Sequence, residues 1–245
     1  MAILNALAQH DYGMTLTDIA QTVGLALSTA HRLLTTLQQE RFVRFDHASS
    51  LWFVGVQTFI VGNAFIRSRE LVDAARPYMR RLMEESGETV NLAVEDQGEA
   101  IYLAQVECRE MMRAFATPGG RVPLHSSAVG KALLAAWPDE RVAKVLQKRG
   151  LAKLTEKTID TPAHLREQLD RVRAAGYALD DEEHAVGLRC VASVIFDEHR
   201  EPVAAISLSG PMARITDRRV SLLGSLVTAA ATEVTAELGG RKPAA

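Results

Sequence analysis

The sequence predicts an α+β protein in two parts: a small helical head ending in a hairpin, then a mostly antiparallel sheet covered by helices. Three observations predict it. Up to about Gly55, two short helical periods separated by a glycine are followed by two short strand runs around a polar turn. Beyond Glu88, strand-like runs come in clusters rather than alternating one by one with helices. Between and after those clusters lie segments of helical periodicity, the last running from about Asp217 to Leu238.

The composition supports a soluble globular chain: 245 residues, 47% hydrophobic and 24% charged, suffice for one large domain or two ordinary ones. No apolar run approaches the roughly 18 residues that span a bilayer, and the N-terminus lacks a basic segment followed by an apolar signal core. A cytoplasmic location is therefore expected. Cys108 and Cys190 are far apart and form no C-x-x-C pair, which favours neither a disulfide framework nor a zinc finger. A net charge of -2 and a pI near 6.4 give no global sign of nucleic-acid binding, so any such binding must be local.

In the head, "LTDIAQTVGL" offers Thr15 and Thr17 as N-caps, Asp18 in the first turn, Ile19, Ala20 and Val23 at helical spacing, and Gly24 as a stop. After Leu25, Ala26 and Leu27 comes "STAHRLLTTLQQE", with Ala30, Leu33, Leu34 and Leu37 on one face. Its other face carries Ser28, His31, Arg32 and Thr35, with Thr29 and Gln38 beside it; Ser28 also stands where it can cap its own helix. "FVRFDHASSLWFVG" reads as two strands joined by Asp46 to Ser50. Helix, tight turn, helix and hairpin is the order of a winged helix-turn-helix. Short hydroxyls permit close approach to base edges and phosphates, Arg32 suits guanine or phosphate, and Arg41 and Arg44 flank the expected wing. The same face also fits a solvated polar surface. Against Arg32, Arg41 and Arg44 stand Asp11, Asp18, Glu40 and Asp46, so binding would need two or more copies of the domain.

"VQTFIVGNAFIRSRELVDAARPYMRRLMEESG" is helical in composition, with Phe59, Ile60, Phe65, Ile66 and Leu71 along it. It reads either as a linker and dimerising helix pair or as ordinary core helix, and Pro77 is expected to break it near Arg76. Further on, "TVNLAVED", "EAIYLAQVEC" and "MMRAFAT" read as strands and "PGGRVPLH" as a loop. Helices are expected at 127–137, 139–148 and 162–175, and strands at "GYALD", "RCVASVIFD" and "PVAAISLSG".

On "STAHRLLTTLQQERFVR", "LMEESGETVNLAV", "GGRVPLHSSAVGKALLA", "GYALDDEEHAVGLRCVASVIFDEHREPVAAISLSGP" and "RITD", the chain resembles the IclR family of bacterial transcriptional regulators almost end to end. The resemblance implies a winged helix over 1–55, linker and dimerisation helices over 56–86, and an effector-binding domain of the GAF and PAS type over 87–240. It also implies homodimers or homotetramers on double-stranded operator DNA. Family members begin their first helix earlier, after an often basic arm, whereas "MAILNALAQ" starts on a helical face with no cap before it, which suggests a truncated or mis-assigned start.

"LDDEEHAVGLRC", Leu179 to Cys190, gathers four carboxylates, a histidine, an arginine and a cysteine. As an enzyme site it lacks a partner, since nothing resembles a serine elbow, a phosphate loop or a paired His/Cys signature. Asp180, His184, Cys190 and His125 offer metal-ligand atoms, but no two have a compelling spacing on one element. Glu182 and Glu183 read as solvated surface. A ligand pocket fits best. "HSSAVGKALLA" opens a helix whose first N–H groups, at Ala128 and Val129, suit an anion, and Gly130 permits close approach. Ser207 and Ser209, two apart on a strand, project from one face with two hydroxyl donors. In the resembling repressors the ligand-lining positions correspond to Met111, Ala114, Val122, Ala128, Val129, Asp180, Leu188, Cys190, Ser207 and Ser209. Asp180 would repel a second carboxylate, which suggests a hydroxyl or an aldehyde hydrate at the far end of the ligand. The expectation is a ligand-responsive regulator, a repressor sensing a small 2-oxo or aldehyde acid, with no cofactor, no metal and no catalytic residues. The alternative is an enzyme-like or metal-binding protein with a vestigial winged helix.

Overall fold

The structure is a computed structural model that describes residues 1–67, 70–112 and 116–242. The chain divides into two compact units, Met1–Arg69 and Glu70–Ala245.

In the first unit, α1 (Ala2–Leu7), α2 (Leu16–Thr22) and α3 (Leu27–Gln39) precede the hairpin β1 (Val43–Asp46) and β2 (Leu51–Val54), and α4 (Val56–Arg67) follows. Thr15 is the N-cap of α2: its Oγ1 accepts the Asp18 N–H at 3.2 Å and donates to the Asp18 carboxylate at 2.6 Å. Gly24 makes the break between α2 and α3 at φ +66°, a region that costs glycine little. The N-cap of α3 is Ala26, so Ser28 is not spent on capping. Ile3, Leu7, Ile19, Leu34, Val43 and Trp52 form one small core. Leu33, expected on the buried face, is 44% exposed, because it lies one step round the helix from the line set by Ala30 and Leu34. The β1–β2 turn is fixed by the Asp46 carboxylate, which accepts from the Ala48 and Ser49 N–H groups.

The second unit begins with α5 (Glu70–Ser86), β3 (Thr89–Asp96), β4 (Glu99–Val106) and β5 (Arg121–Pro123). Then come α6 (Ala128–Ala136), α7 (Asp139–Arg149), α8 (Pro162–Ala175), β6 (Ala178–Asp181), β7 (Leu188–Phe196), β8 (Pro202–Pro211) and α9 (Asp217–Glu237). The six strands form one antiparallel sheet in the order β5-β4-β3-β8-β7-β6. One face, with Val90, Leu92, Val191, Ile206 and Leu208, packs against α5 and α9. The other face carries mostly small side chains under α6, among them Ala93, Ala178, Ala192 and Ala205.

Two expectations are corrected. Pro77 does not end a helix: α5 runs through it. Proline removes one helix hydrogen bond at a cost of about 3 kcal/mol. Leu71, Val72, Ala75, Met79 and Leu82 are all buried along the same helix, and at about 1.5–3 kcal/mol per large apolar side chain their burial outweighs that cost. The described part of 111–117 holds no strand. Met111, Met112, Ala116 and Thr117 lie outside strands, residues 113–115 are outside the described residues, and β5 forms instead at Arg121–Pro123, within the expected loop. The turn at 117–120 decides this, since Gly119 N–H donates to Tyr102 O and Tyr102 N–H to Gly120 O, which starts the pairing to β4 only there.

Candidate effector pocket and nucleic-acid face

The small side chains under α6 leave a cavity of about 240 Å³ between that helix and the sheet. Its floor follows from strand register, because directly opposed residues of antiparallel strands share a face. Asp180 on β6 pairs with Cys190 on β7, which pairs with Ser209 on β8, so the three lie in one row; Ser207 stands two residues along, on the same face. Val122, Ala128, Val129, Asp180, Leu188, Cys190, Ser207 and Ser209 all line the cavity. Met111 does not: it is 97% exposed and lies outside the strands. Ala114 lies outside the described residues.

One wall is the start of α6, where Ser127 Oγ accepts the Gly130 N–H at 3.2 Å and donates to Pro123 O at 2.7 Å. That cap leaves the N–H groups of Ala128 and Val129 at the positive end of the helix, beside the cavity. Gly130 is required here, because a Cβ would run into the Leu124 backbone. Ser207 Oγ is buried and has no hydrogen-bond partner among the described residues. A buried hydroxyl without a partner costs about 1–3 kcal/mol, so this one points to a ligand atom.

Ser209 is oriented by residues the sequence did not single out. Gln105 Nε2 donates to Asn91 Oδ1 at 3.0 Å, and Asn91 Nδ2 donates to Ser209 Oγ at 3.1 Å. With its oxygen accepting from Asn91, Ser209 keeps its own proton to donate, to the Cys190 sulfur opposite it or to an atom in the cavity. Tyr102, Thr117, Arg121 and His184 also line the cavity. Arg121 is held by Asp96 at 2.9 Å and Glu99 at 3.4 Å. The period-2 pattern of "TVNLAV" and "EAIYLAQV" puts Asn91 and Tyr102 on the correct face, but nothing local says that this face is the pocket.

Asp180 is buried, and its Oδ1 accepts the Glu183 N–H at 2.8 Å and the His184 N–H at 3.3 Å. Burial pushes its carboxyl up to about 7, against the opposing pull of Lys131. Burial likewise holds His184 and His125 below the usual imidazole range and raises the Cys190 thiol. Glu183 is not the solvated acid expected. It is buried and ion-paired with Lys131, itself 1% exposed, whose Nζ also donates to Leu179 O at 2.5 Å. Thr158 Oγ1 donates to Glu183 O at 2.7 Å, which pulls the segment inward. Glu182 pairs with Lys157 at 2.6 Å. Asp180, His184 and Cys190 meet at the cavity, whereas His125 Nε2 faces Ala152 O; among the described residues no group of three His, Cys, Asp or Glu is placed to hold a metal ion. A larger hollow of about 490 Å³ opens between α7 and α8, with an aliphatic floor of Val142, Leu146, Leu165 and Leu169. It lacks the buried unpartnered hydroxyl that marks the smaller one.

In the first unit, Ser28, Thr29, His31 and Arg32 are exposed on α3, with Thr35 half-buried beside them. Thr35 Oγ1 donates to His31 O and Thr36 Oγ1 to Arg32 O, so both hydroxyls retain only acceptor capacity. Arg44 on β1 lies over the Phe53 ring, 4.1 Å from its centroid, which holds the guanidinium along the hairpin. Arg41 is exposed at the end of α3, at φ +61°.

Among the described residues no helix is long and apolar enough to cross a membrane. Residues 1–47 match the IclR helix-turn-helix domain, and residues 63–236 match the family described as bacterial transcriptional regulator IclR C-terminal. The chain is 50% identical over 244 residues to the transcriptional repressor IclR of Escherichia coli, covering 99% of this chain and 89% of that protein. It is equally identical, over the same shares, to the acetate operon repressor of Salmonella typhimurium. A crystal structure of an IclR homologue from Microbacterium hydrocarbonoxydans, complexed with 4-hydroxybenzoate, superposes with a TM-score of 0.81 at 25% identity, covering 97% of this chain and 98% of that one. These matches bear out the expectation of a transcriptional regulator rather than an enzyme. The chain belongs to the IclR family of bacterial transcriptional regulators.

Proposed function

We propose that the protein is a cytoplasmic repressor that holds operator DNA as a homodimer or homotetramer and answers to a small 2-oxo or aldehyde acid bound under α6. Residues 1–55 form the DNA-reading domain, 56–86 the linker and 87–240 the sensor. The observation that carries the sensor assignment is Ser207, a buried hydroxyl without a partner, beside Ser209 and the start of α6. The effector carboxylate accepts from these two hydroxyls and from the Ala128 and Val129 N–H groups, while Asp180 meets its other end. Val122, Leu188 and Cys190 close the walls. Ser28, Thr29, His31, Arg32 and Thr35 face the major groove, and Arg41 and Arg44 contact phosphates. The two repressors that share 50% identity with the chain support this reading.

An effector switches a regulator only through unequal affinity for its two states. Titrating glyoxylate and pyruvate into the full chain, with and without the DNA upstream of its own gene, tests the proposal. Weaker acid binding in the presence of DNA is the expected result; equal affinities would mean that the pocket is not the switch.

A further inference from the structure

The pocket already holds a charge problem before any ligand enters. Asp180 and Glu183 are both buried, and the single ammonium facing them among the described residues is Lys131 of α6, which is bonded to Glu183. The other titratable groups around Asp180 supply no positive charge. Cys190 opposes it on β7, Tyr102 looks across from β4, and His184 follows it in the chain. His184 is kept neutral by burial, as is His125 beside Lys131. Arg121 at the cavity is spoken for by Asp96 and Glu99. A bound carboxylate would place a second anion beside Asp180 in a cavity of about 240 Å³, at a helix start, while Glu183 and its partner Lys131 act on Asp180 from outside the lining.

We propose that Asp180 enters the effector complex as the neutral acid, so that each small carboxylate is bound together with one proton, and the Asp180 O–H donates to the effector's oxo or hydroxyl oxygen. This rests on the reading of the cavity as the acid's site. The geometry suits the role. Both backbone N–H donors fall on Oδ1, which leaves Oδ2 to carry the proton toward the cavity that Asp180 lines. Burial already raises the carboxyl to about 7, and a second anion beside it raises it further. The ligand class sharpens as a result: a neutral Asp180 is a donor, so it selects an acid with an acceptor oxygen on the adjacent carbon, and an unhydrated oxo group satisfies it as well as a hydroxyl does.

The test is calorimetric titration of the full chain with pyruvate and glyoxylate at pH 8, in buffers of different ionisation enthalpy. Uptake approaching one proton per acid bound is expected, with affinity falling about tenfold per pH unit above pH 8. Asp180→Asn should bind with affinity independent of pH and no buffer dependence. Propionate, which lacks the oxo oxygen, should bind at least tenfold more weakly than pyruvate. Binding without proton uptake in the unaltered protein overturns the inference alone, whatever the variant does. Propionate binding as tightly as pyruvate overturns the donated bond. No binding by either oxo acid overturns the reading of the site and the inference with it.

Discussion

Asn91 on β3 donates through Nδ2 to Ser209 Oγ on β8 at 3.1 Å, and so decides which way the serine proton points. The direction of that bond sets the polarity of the pocket. Asn91→Asp would present an acceptor where a donor stood, and Ser209 would turn its proton away from the ligand. We expect a loss of about 1.5–3 kcal/mol in affinity for a small carboxylate, the value of one charge-assisted hydrogen bond, with operator binding retained. Calorimetry and gel shift on the same preparation check both halves. Unchanged acid affinity in a folded variant would remove the relay from the account.

The unliganded protein should lose stability as pH rises across the titration of Asp180. In the folded chain this carboxyl holds its proton up to about pH 7, and in the unfolded chain only to about 3.8. Between those values the folded state binds more protons, so this group's contribution is present at low pH and declines as pH climbs through the window. Asp180→Asn abolishes that decline. Denaturant midpoints at pH 5 and pH 8 should show the variant gaining on the unaltered protein at the higher pH; a constant difference would contradict the assignment.

Lys131 and Glu183 should tolerate joint replacement better than single replacement. Lys131→Met leaves the Glu183 carboxylate buried without its counter-charge and should cost about 3–5 kcal/mol, whereas adding Glu183→Gln should restore much of it. A double-mutant cycle by chemical denaturation measures the coupling. Additive losses would mean that the pair contributes nothing as a pair.

Arg32 is exposed on α3 and bound to no side chain among the described residues. Arg32→Ala should weaken specific operator binding by about 1–3 kcal/mol while leaving acid binding intact. A gel shift with operator and with unrelated DNA separates lost recognition from lost phosphate contact.

On α4, Val56, Phe59, Ile60 and Val61 are exposed, an apolar strip that a winged helix with so few basic residues would use to pair its copies. The full chain should run as a dimer or tetramer in light scattering, and Phe59→Asp should shift it toward monomer and reduce operator affinity. A strict monomer at micromolar concentration would sink the argument.

Much of this protein was written locally. The Thr15 cap, the Gly24 break, the hairpin around Asp46 and the start of α6 at Ser127 depend on residues within a few positions of one another, and so could be read from sequence. So could the pairing of Ser207 with Ser209, because strand alternation needs no knowledge of neighbours. What the tertiary structure decided is what depends on distant chain. Asn91 meets Ser209 across 118 positions only because β3 pairs with β8. Glu183 leaves the surface because α6, fifty-odd positions earlier, brings Lys131 beneath it. Pro77 is carried inside α5 because the sheet and α9 reward the buried face of that helix, and the third strand forms at Arg121 because Tyr102 takes its backbone bonds there. Periodicity fixes the face on which a side chain lies; the partner across from it is fixed by strand order and burial, whose free energy is non-local.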